Sequence, residues 1–381
     1  MNELEKIKML CTGDYHKDWF LKFEEFFDIE RKGFSLSDGS TMIVLKDTEL
    51  ISSLNEKEVC IIGYDPITND VIRKAPDIKL ILSVRDGPEE NIDIAACTAQ
   101  GIPVISSAGR CATSVSEYTF LLMLLLARPM VPVITKIRTE GWTKENSGEL
   151  RSMYAHKSSE LFNKTLGIIG FGRNAKKLSV LAHAFGMRII AYDPFVDTQT
   201  MEGFHTEKVD LDTLAVSADY LIVLARLTKD TEGILNRDLI YSMKPSASII
   251  NTGRARLIDT DAVLDALEEN VIKSAALDVH TPEPLGNLNE NRIYRIPEDK
   301  LIITSHAAGV TEERAWHQYD LLYHQLLEYF NGEIPLGCVN KEVFQTPQFF
   351  SRGSKYFGIL KKDMLKKNLS NNNSTDKGGN S

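Results

Sequence analysis

Nothing in the 381 residues is long and apolar enough to cross a bilayer. The greasiest run, Phe120 to Ala127, falls well short of the roughly 20 residues that a spanning helix needs. Cysteine is scarce and unpatterned. The five cysteines (Cys11, Cys60, Cys97, Cys111 and Cys338) include no C-x-x-C pair and none beside a histidine at metal-ligand spacing. That speaks against a disulfide framework and a structural zinc site, and it fits a reducing compartment. The N-terminal Met-Asn-Glu-Leu-Glu-Lys has no apolar core, so no secretory signal is visible and a cytoplasmic location is expected. Excess positive charge is also missing. Lys and Arg number 44 against 53 Asp and Glu, a net charge of −9, so neither nucleic acid nor membrane is expected as a partner. No repeat of solenoid period is present.

What is there is an alternation. Short β-branched, apolar runs stand at Val59–Tyr64, Ile78–Val84 and Pro103–Ser107. A second set follows at Thr165–Gly170, Arg188–Asp193, Tyr220–Ala225, Ser248–Thr252, Ala275–Val279 and Leu301–Thr304. The segments between them, such as Asn174–Phe185 and Asp259–Glu269, carry apolar residues at helical spacing. Strands apolar on both faces and separated by helices indicate doubly wound parallel sheets. The two sets are separated by a helical stretch from about Ala112 to Trp142, which predicts two α/β domains. A helix over Thr311–Phe330 is expected to return the chain to the first domain. From about Leu369 the chain turns Asn-, Ser- and Gly-rich, the composition of a disordered tail.

The sharpest local motif runs from Leu166 to Ala175, an apolar strand leading into Gly170-Phe171-Gly172-Arg173-Asn174-Ala175. Gly170 permits a tight turn, Gly172 lets backbone approach a pyrophosphate, and a small residue at Ala175 allows close helix–strand packing. Free N–H groups at the start of the following helix favour phosphate. Asp193 ends the next strand, where an acid bonds the ribose 2′-OH and repels a 2′-phosphate; this predicts NAD rather than NADP.

Three later strand ends each present a polar residue that a buried sheet does not need. They are Asn251-Thr252-Gly253-Arg254-Ala255-Arg256, Asp278-Val279-His280-Thr281-Pro282-Glu283-Pro284 and Thr304-Ser305-His306-Ala307-Ala308-Gly309. In doubly wound folds ligands bind beyond the carboxyl ends of strands, so the three can serve one crevice.

The order and spacing of these blocks resemble the D-isomer-specific 2-hydroxyacid dehydrogenase family. The resemblance runs from about Ile78 to the helix at Thr311 and takes in Asn91–Ala96, Gly101–Val104 and Ser114–Glu117. It implies two Rossmann-like doubly wound domains, with the NAD-binding domain inserted into a discontinuous substrate domain. The expected boundaries are 1–110 and 307–340 for the substrate domain and 111–306 for the NAD-binding domain. A C-terminal extension over 341–368 and the tail 369–381 follow. The extension carries Phe344, Phe349, Phe350, Tyr356 and Phe357 and has no assigned role, although its aromatics suggest that it packs.

The resemblance also assigns roles. Arg254 would hold the substrate carboxylate and polarise the 2-carbonyl through its planar fork. His306 would give a proton to the carbonyl oxygen as hydride arrives from the nicotinamide, and take it back in reverse. Glu283 would bond the imidazole and fix its tautomer. Arg173, Asn174, Thr252, Gly253, Asp278 and Gly309 join Gly170, Gly172 and Asp193 as expected cofactor contacts. Arg85, Asp86 and Gly87 align with the family's substrate-domain loop. The partner is then a small 2-oxo or 2-hydroxy acid. The Leu-rich face of Cys111–Ala127 resembles the family's dimer-forming helix, which implies a homodimer.

Some alternatives stay open at this level. Arg256 rivals Arg254, and His280 rivals His306 as the acid, although the motifs favour 254 and 306. The NADH-sensing C-terminal-binding-protein co-repressors share the fold and the same three residues. The chain also departs from the family pattern. Ala255 replaces a usual glycine, Ser305 a usual proline, Cys111 a usual asparagine, and Arg226 stands where proline is common. An apolar residue is usual at His280.

Overall fold

The computed structural model describes residues 6–13, 17–33 and 43–361. The expected tail over 369–381 lies outside them. The chain divides into two compact units, one made of 1–110 and 312–381, the other of 111–311.

The first unit holds a parallel sheet of β1 (Ile7–Cys11), β2 (Phe27–Arg31), β3 (Val59–Ile62), β4 (Leu80–Ser83) and β5 (Val104–Ser106), in the order β2-β1-β3-β4-β5. Every residue of β3, β4 and β5 is buried, as strands covered on both faces require. The first two strands were not anticipated. β2 alternates Asp28 and Glu30 with its apolar residues and is half exposed, so it carries no continuous apolar run. The returning helix begins at Arg314, three residues later than Thr311, and runs to Phe330. It buries Tyr319, Leu322, Leu326, Tyr329 and Phe330 against Phe20, Phe23 and Phe27.

Residues 341–361 pack into this same core. Phe344, Phe349 and Tyr356 are buried, and Phe357 sits edge-on to Tyr329 with ring centroids 5.2 Å apart. Each such burial stabilises by about 1.5–3 kcal/mol. Polar ties fix the path. The buried Asn340 side chain accepts from Val104 N–H at 2.9 Å and donates to the Ile102 carbonyl at 3.0 Å. Arg352 donates to the carbonyls of Ile78 and Ala75, and Tyr356 donates to Glu58 at 2.5 Å. Gly101, at φ +71°, has no room for a side chain, since a Cβ there would lie 2.2 Å from the backbone of Gln348.

The second unit holds β6 (Thr165–Ile169), β7 (Arg188–Tyr192), β8 (Thr206–Lys208), β9 (Tyr220–Val223), β10 (Ser248–Asn251), β11 (Ser274–Leu277) and β12 (Leu301–Ile303). All pair in parallel, in the order β12-β11-β10-β9-β6-β7-β8. The order reverses at β6, whose Gly167 faces Ile190 of β7 on one side and Leu221 of β9 on the other. That reversal is the switch point at which such sheets open a crevice. The three-residue β8, Thr-Glu-Lys, is too short and polar to read from sequence.

The expected helical stretch from Ala112 to Trp142 is two helices, Ala112–Ala127 and Met130–Glu140, bent by 68°. Pro129 stands between them, where it lacks a backbone N–H and cannot continue the first helix. Phe120, Met123 and Leu126 of the first helix pack with Leu178 and Ala182 of the helix Arg173–Ala184. Among the described residues no single helix is long and apolar enough to cross a membrane.

Candidate functional site

In the second unit the carboxyl ends of β6, β10, β11 and β12 carry the polar residues singled out from sequence. The turn after β6 is tight. Gly170 adopts φ +90°, and a Cβ there would lie 2.5 Å from the backbone of Ala225. Gly172 is the opposite case, since a Cβ there would meet nothing within 4 Å. It caps the helix Arg173–Ala184 without offering a side chain to the first N–H groups. Open space before uncapped N–H groups, with Arg173 at the first helical position, fits a diphosphate. The Asn174 carbonyl lies 2.9 Å from the Ser116 hydroxyl, whose one proton is shared with the Ala112 carbonyl at 2.5 Å. The Asp193 carboxylate accepts from Phe171 N–H at 2.8 Å and from Phe195 N–H at 2.9 Å. It therefore braces the glycine turn as well as standing at the end of β7. Sequence reasoning had not foreseen that brace.

After β10, Asn251 folds its side chain over the turn. Its Oδ1 accepts from Gly253 N–H and its Nδ2 donates to the Arg254 carbonyl, both at 3.0 Å. Gly253 is needed there because a Cβ would approach the Val223 carbonyl to 2.8 Å. Thr252 is buried against Thr119, with 2.7 Å between the hydroxyl oxygens. Thr119 gives its proton to the Val115 carbonyl, so Thr252 is the donor of the pair. Arg254 is half-buried. Its rival Arg256 is exposed and engaged by Glu232 through both Nε and a terminal nitrogen, at 2.9 and 2.7 Å. The geometry makes Arg256 a surface ion-pair partner.

The segments after β11 and β12 meet. Glu283 Oε1 lies 2.6 Å from His306 Nδ1, and the two side chains are 39% and 46% exposed. A carboxylate on Nδ1 leaves Nε2, across the ring, as the atom that can exchange a proton with a ligand. His306 adopts φ +58°, in the left-handed region where a non-glycine residue is uncommon. The chain makes a bulge to reach it: Thr304 N–H pairs with the Leu277 carbonyl, and His306 N–H with the very next carbonyl, that of Asp278. The Asp278 side chain, fully buried, secures the turn. Its Oδ1 accepts from the Thr304 hydroxyl at 2.6 Å and Ala307 N–H at 2.9 Å, and its Oδ2 from Ala308 N–H at 3.0 Å. Gly309 packs beside Cys111, where a Cβ would lie 3.2 Å from the thiol sulfur. His280 is buried, with Nε2 2.7 Å from the Thr304 carbonyl.

The Arg85–Gly87 loop lies in the first unit, after β4. The Arg85 guanidinium pairs with Glu90 and lies over the Tyr64 ring, 4.8 Å from its centroid. Asp86 accepts from Gly109 N–H at 2.6 Å, and Gly87 opens the short turn Pro88–Glu90. The sequence reading gave no role to Thr119, nor to Thr304 and Ser116, although these last two lie within the motif segments. Only the adjacency of Thr304 to the Ser305-His306 motif could have pointed to it. Among the described residues no group of three or more His, Cys, Asp or Glu side chains is placed to hold a metal ion.

Comparison with known proteins gives a consistent result. Residues 120–308 match the model of the NAD-binding domain of D-isomer-specific 2-hydroxyacid dehydrogenases. The chain is 32% identical to a glyoxylate reductase of Thermococcus litoralis over 338 residues, 89% of this chain and 98% of that one. It is also 32% identical to a D-3-phosphoglycerate dehydrogenase of Methanocaldococcus jannaschii, covering 88% of this chain but only 59% of that relative's length. Among solved structures, the D-mandelate dehydrogenase of Rhodotorula graminis in its apo form superimposes with a TM-score of 0.76 at 23% identity. That match covers 88% of this chain and 98% of that one, and shows the fold.

Proposed function

The chain belongs to the D-isomer-specific 2-hydroxyacid dehydrogenase family, and we propose that it interconverts a small 2-oxo acid and the (R)-2-hydroxy acid. NAD(H) is its cofactor. The observation that carries the reading is the His306–Glu283 contact at 2.6 Å, formed in the same sheet end as Arg254 and the glycine turn.

The reaction is 2-oxo acid plus NADH plus a proton to hydroxy acid plus NAD. The dinucleotide, when bound, supplies the hydride. Gly170, Gly172, Arg173 and Asn174 would hold its diphosphate, and Asp193 its adenosine ribose. Thr252, Gly253, Asp278 and Gly309 would line the rest. Asp278 would act there through its backbone and the turn it secures, because its carboxylate already accepts three protein hydrogen bonds. A carboxylate at 193 repels a 2′-phosphate, so NAD is preferred over NADP. Arg254 grips the substrate carboxylate and draws electron density from the 2-carbonyl. His306 gives the Nε2 proton to the oxygen that hydride addition makes basic, and Glu283 keeps the ring oriented while it does so. Arg85, Asp86 and Gly87 would supply further substrate contacts. Arg85 would have to share its Glu90 pairing with the ligand.

Two further expectations join this reading. The helices Ala112–Ala127 and Met130–Glu140 expose Leu121, Met130, Ile134 and Ile137, an apolar face that supports a homodimer. Five buried thiols with no disulfide support a reducing, cytoplasmic setting. The test is NADH absorbance with glyoxylate, hydroxypyruvate, pyruvate and phosphohydroxypyruvate in turn. Loss of absorbance with at least one acid is expected. NADH binding without turnover on any of them would reject the proposal.

A further inference from the structure

We infer that His280 is a positioning residue for the reaction, pinning the loop that carries Glu283 onto the turn that carries His306. The inference rests on the catalytic reading of His306 and Glu283 above.

A carbonyl oxygen only accepts, so the 2.7 Å contact between His280 Nε2 and the Thr304 carbonyl puts the proton on Nε2. His280 is 8% exposed and the contact is part-buried, so its imidazole end is largely shielded from competition by water. Thr304 directly follows β12, which stands at the edge of the sheet and pairs with β11. At that edge the register slips by one residue to form the bulge, and the imidazole N–H supplies a donor to Thr304 where the ladder ends.

His280 and Glu283 are three apart on one segment, and Thr304 and His306 are two apart on the other. The two segments are thus joined at two points, His280 to Thr304 and Glu283 to His306. Pro282 and Pro284 restrict φ on either side of Glu283, so the loop between the joints is stiff. A stiff loop held at both ends fixes the direction from which Glu283 meets Nδ1, and so the direction in which Nε2 faces. Released at His280, the loop would keep the packing of Leu285 and the Tyr294 bond to Gly286, but its side-chain hydrogen bond to the His306 turn would be the Glu283 contact, at a carboxylate two-fifths exposed. Asp278 holds the same turn from beneath, but it bonds only to the turn and not to the Glu283 loop. His280 therefore has a task that Asp278 does not share.

The test compares His280→Phe, which fills the space without a donor, with His280→Gln, which keeps an N–H on a flexible stem. Three quantities are read: kcat and KM for the 2-oxo acid, NADH affinity by fluorescence, and the low-field proton signal of the His306–Glu283 hydrogen bond. For His280→Phe, kcat should fall about tenfold, with NADH affinity within about twofold of wild type and the low-field signal broadened or lost. His280→Gln should recover most of the rate and the signal. Wild-type kcat and signal in His280→Phe would overturn the inference, as would equal losses in both variants. If His280→Phe does not fold, His280→Leu takes its place in the same comparison. If the wild type turns over no 2-oxo acid, the catalytic reading fails, and the proton signal still decides whether His280 positions the pair.

Discussion

Two turns at the end of one sheet solve the same problem by different means. The turn after β6 needs a positive φ and places glycine there, at φ +90°. Glycine adopts that conformation without steric cost, and Asp193 braces the turn from the end of β7. The turn after β12 also needs a positive φ but places His306 there, at +58°. Such a residue costs of order 1–3 kcal/mol and persists only where its surroundings hold it. Here the surroundings are Asp278, with three donors on its carboxylate and His306 N–H on its carbonyl, and His280 on Thr304. The first turn needs room for a ligand, so a missing side chain serves it. The second must present an imidazole, so the cost of the side chain is met by buried hydrogen bonds.

This contrast can be broken in steps. Replacing the imidazole itself should have the largest effect. His306→Ala should lower kcat about 10²–10⁴-fold while leaving NADH affinity nearly intact, as single-turnover kinetics and fluorescence titration would read. Unchanged kcat would remove His306 from the mechanism. Gly170→Ala is the matching attack on the first turn. Its Cβ would lie 2.5 Å from the Ala225 backbone at a φ unsuited to alanine. A loss of about 2–4 kcal/mol is expected in denaturant unfolding, with weakened NADH binding.

Asp278→Asn tests the support rather than the turn. The amide would set an NH₂ group against backbone N–H groups that now donate to a carboxylate. A cost of about 1–3 kcal/mol is expected from unfolding curves, with kcat lowered more than NADH affinity. Equal losses in both would mean that Asp278 does not serve the His306 turn in particular. The smallest effect is expected at Asp193→Ala. The preference for NADH over NADPH, read as a ratio of kcat/KM, should relax by about tenfold, or roughly 1.4 kcal/mol. An untouched ratio would leave Asp193 with only its bracing of Phe171 and Phe195.

The same contrast explains what could be read from the sequence. The glycine turn was legible because its requirement is written in the residue type itself, between a strand and a helix. The parallel strands of both sheets were legible where they are buried on both faces and uniformly apolar, as in β3, β4, β9 and β10. β2 and β8 were not, being half exposed or only three residues long. His306, Glu283 and Arg254 are proposed from their motifs, while the scaffold around them was not read from sequence. Asp278 was expected to contact the cofactor, and nothing local indicates that its carboxylate accepts from residues 26 to 30 positions later. The aromatics beyond residue 340 announced packing but not its site. That site is set by long-range fit, such as Gly101 against Gln348 and Arg352 against the carbonyls of Ala75 and Ile78.

The most direct test of the account is the fate of the hydride. NADH carrying deuterium at the transferable nicotinamide position would be incubated with the protein and the panel of 2-oxo acids, and the products analysed by mass and chirality. The account predicts deuterium at C2 of an (R)-2-hydroxy acid formed from at least one of them. Tight NADH binding with no labelled product from any acid would contradict it and favour a protein that senses the dinucleotide without turning it over.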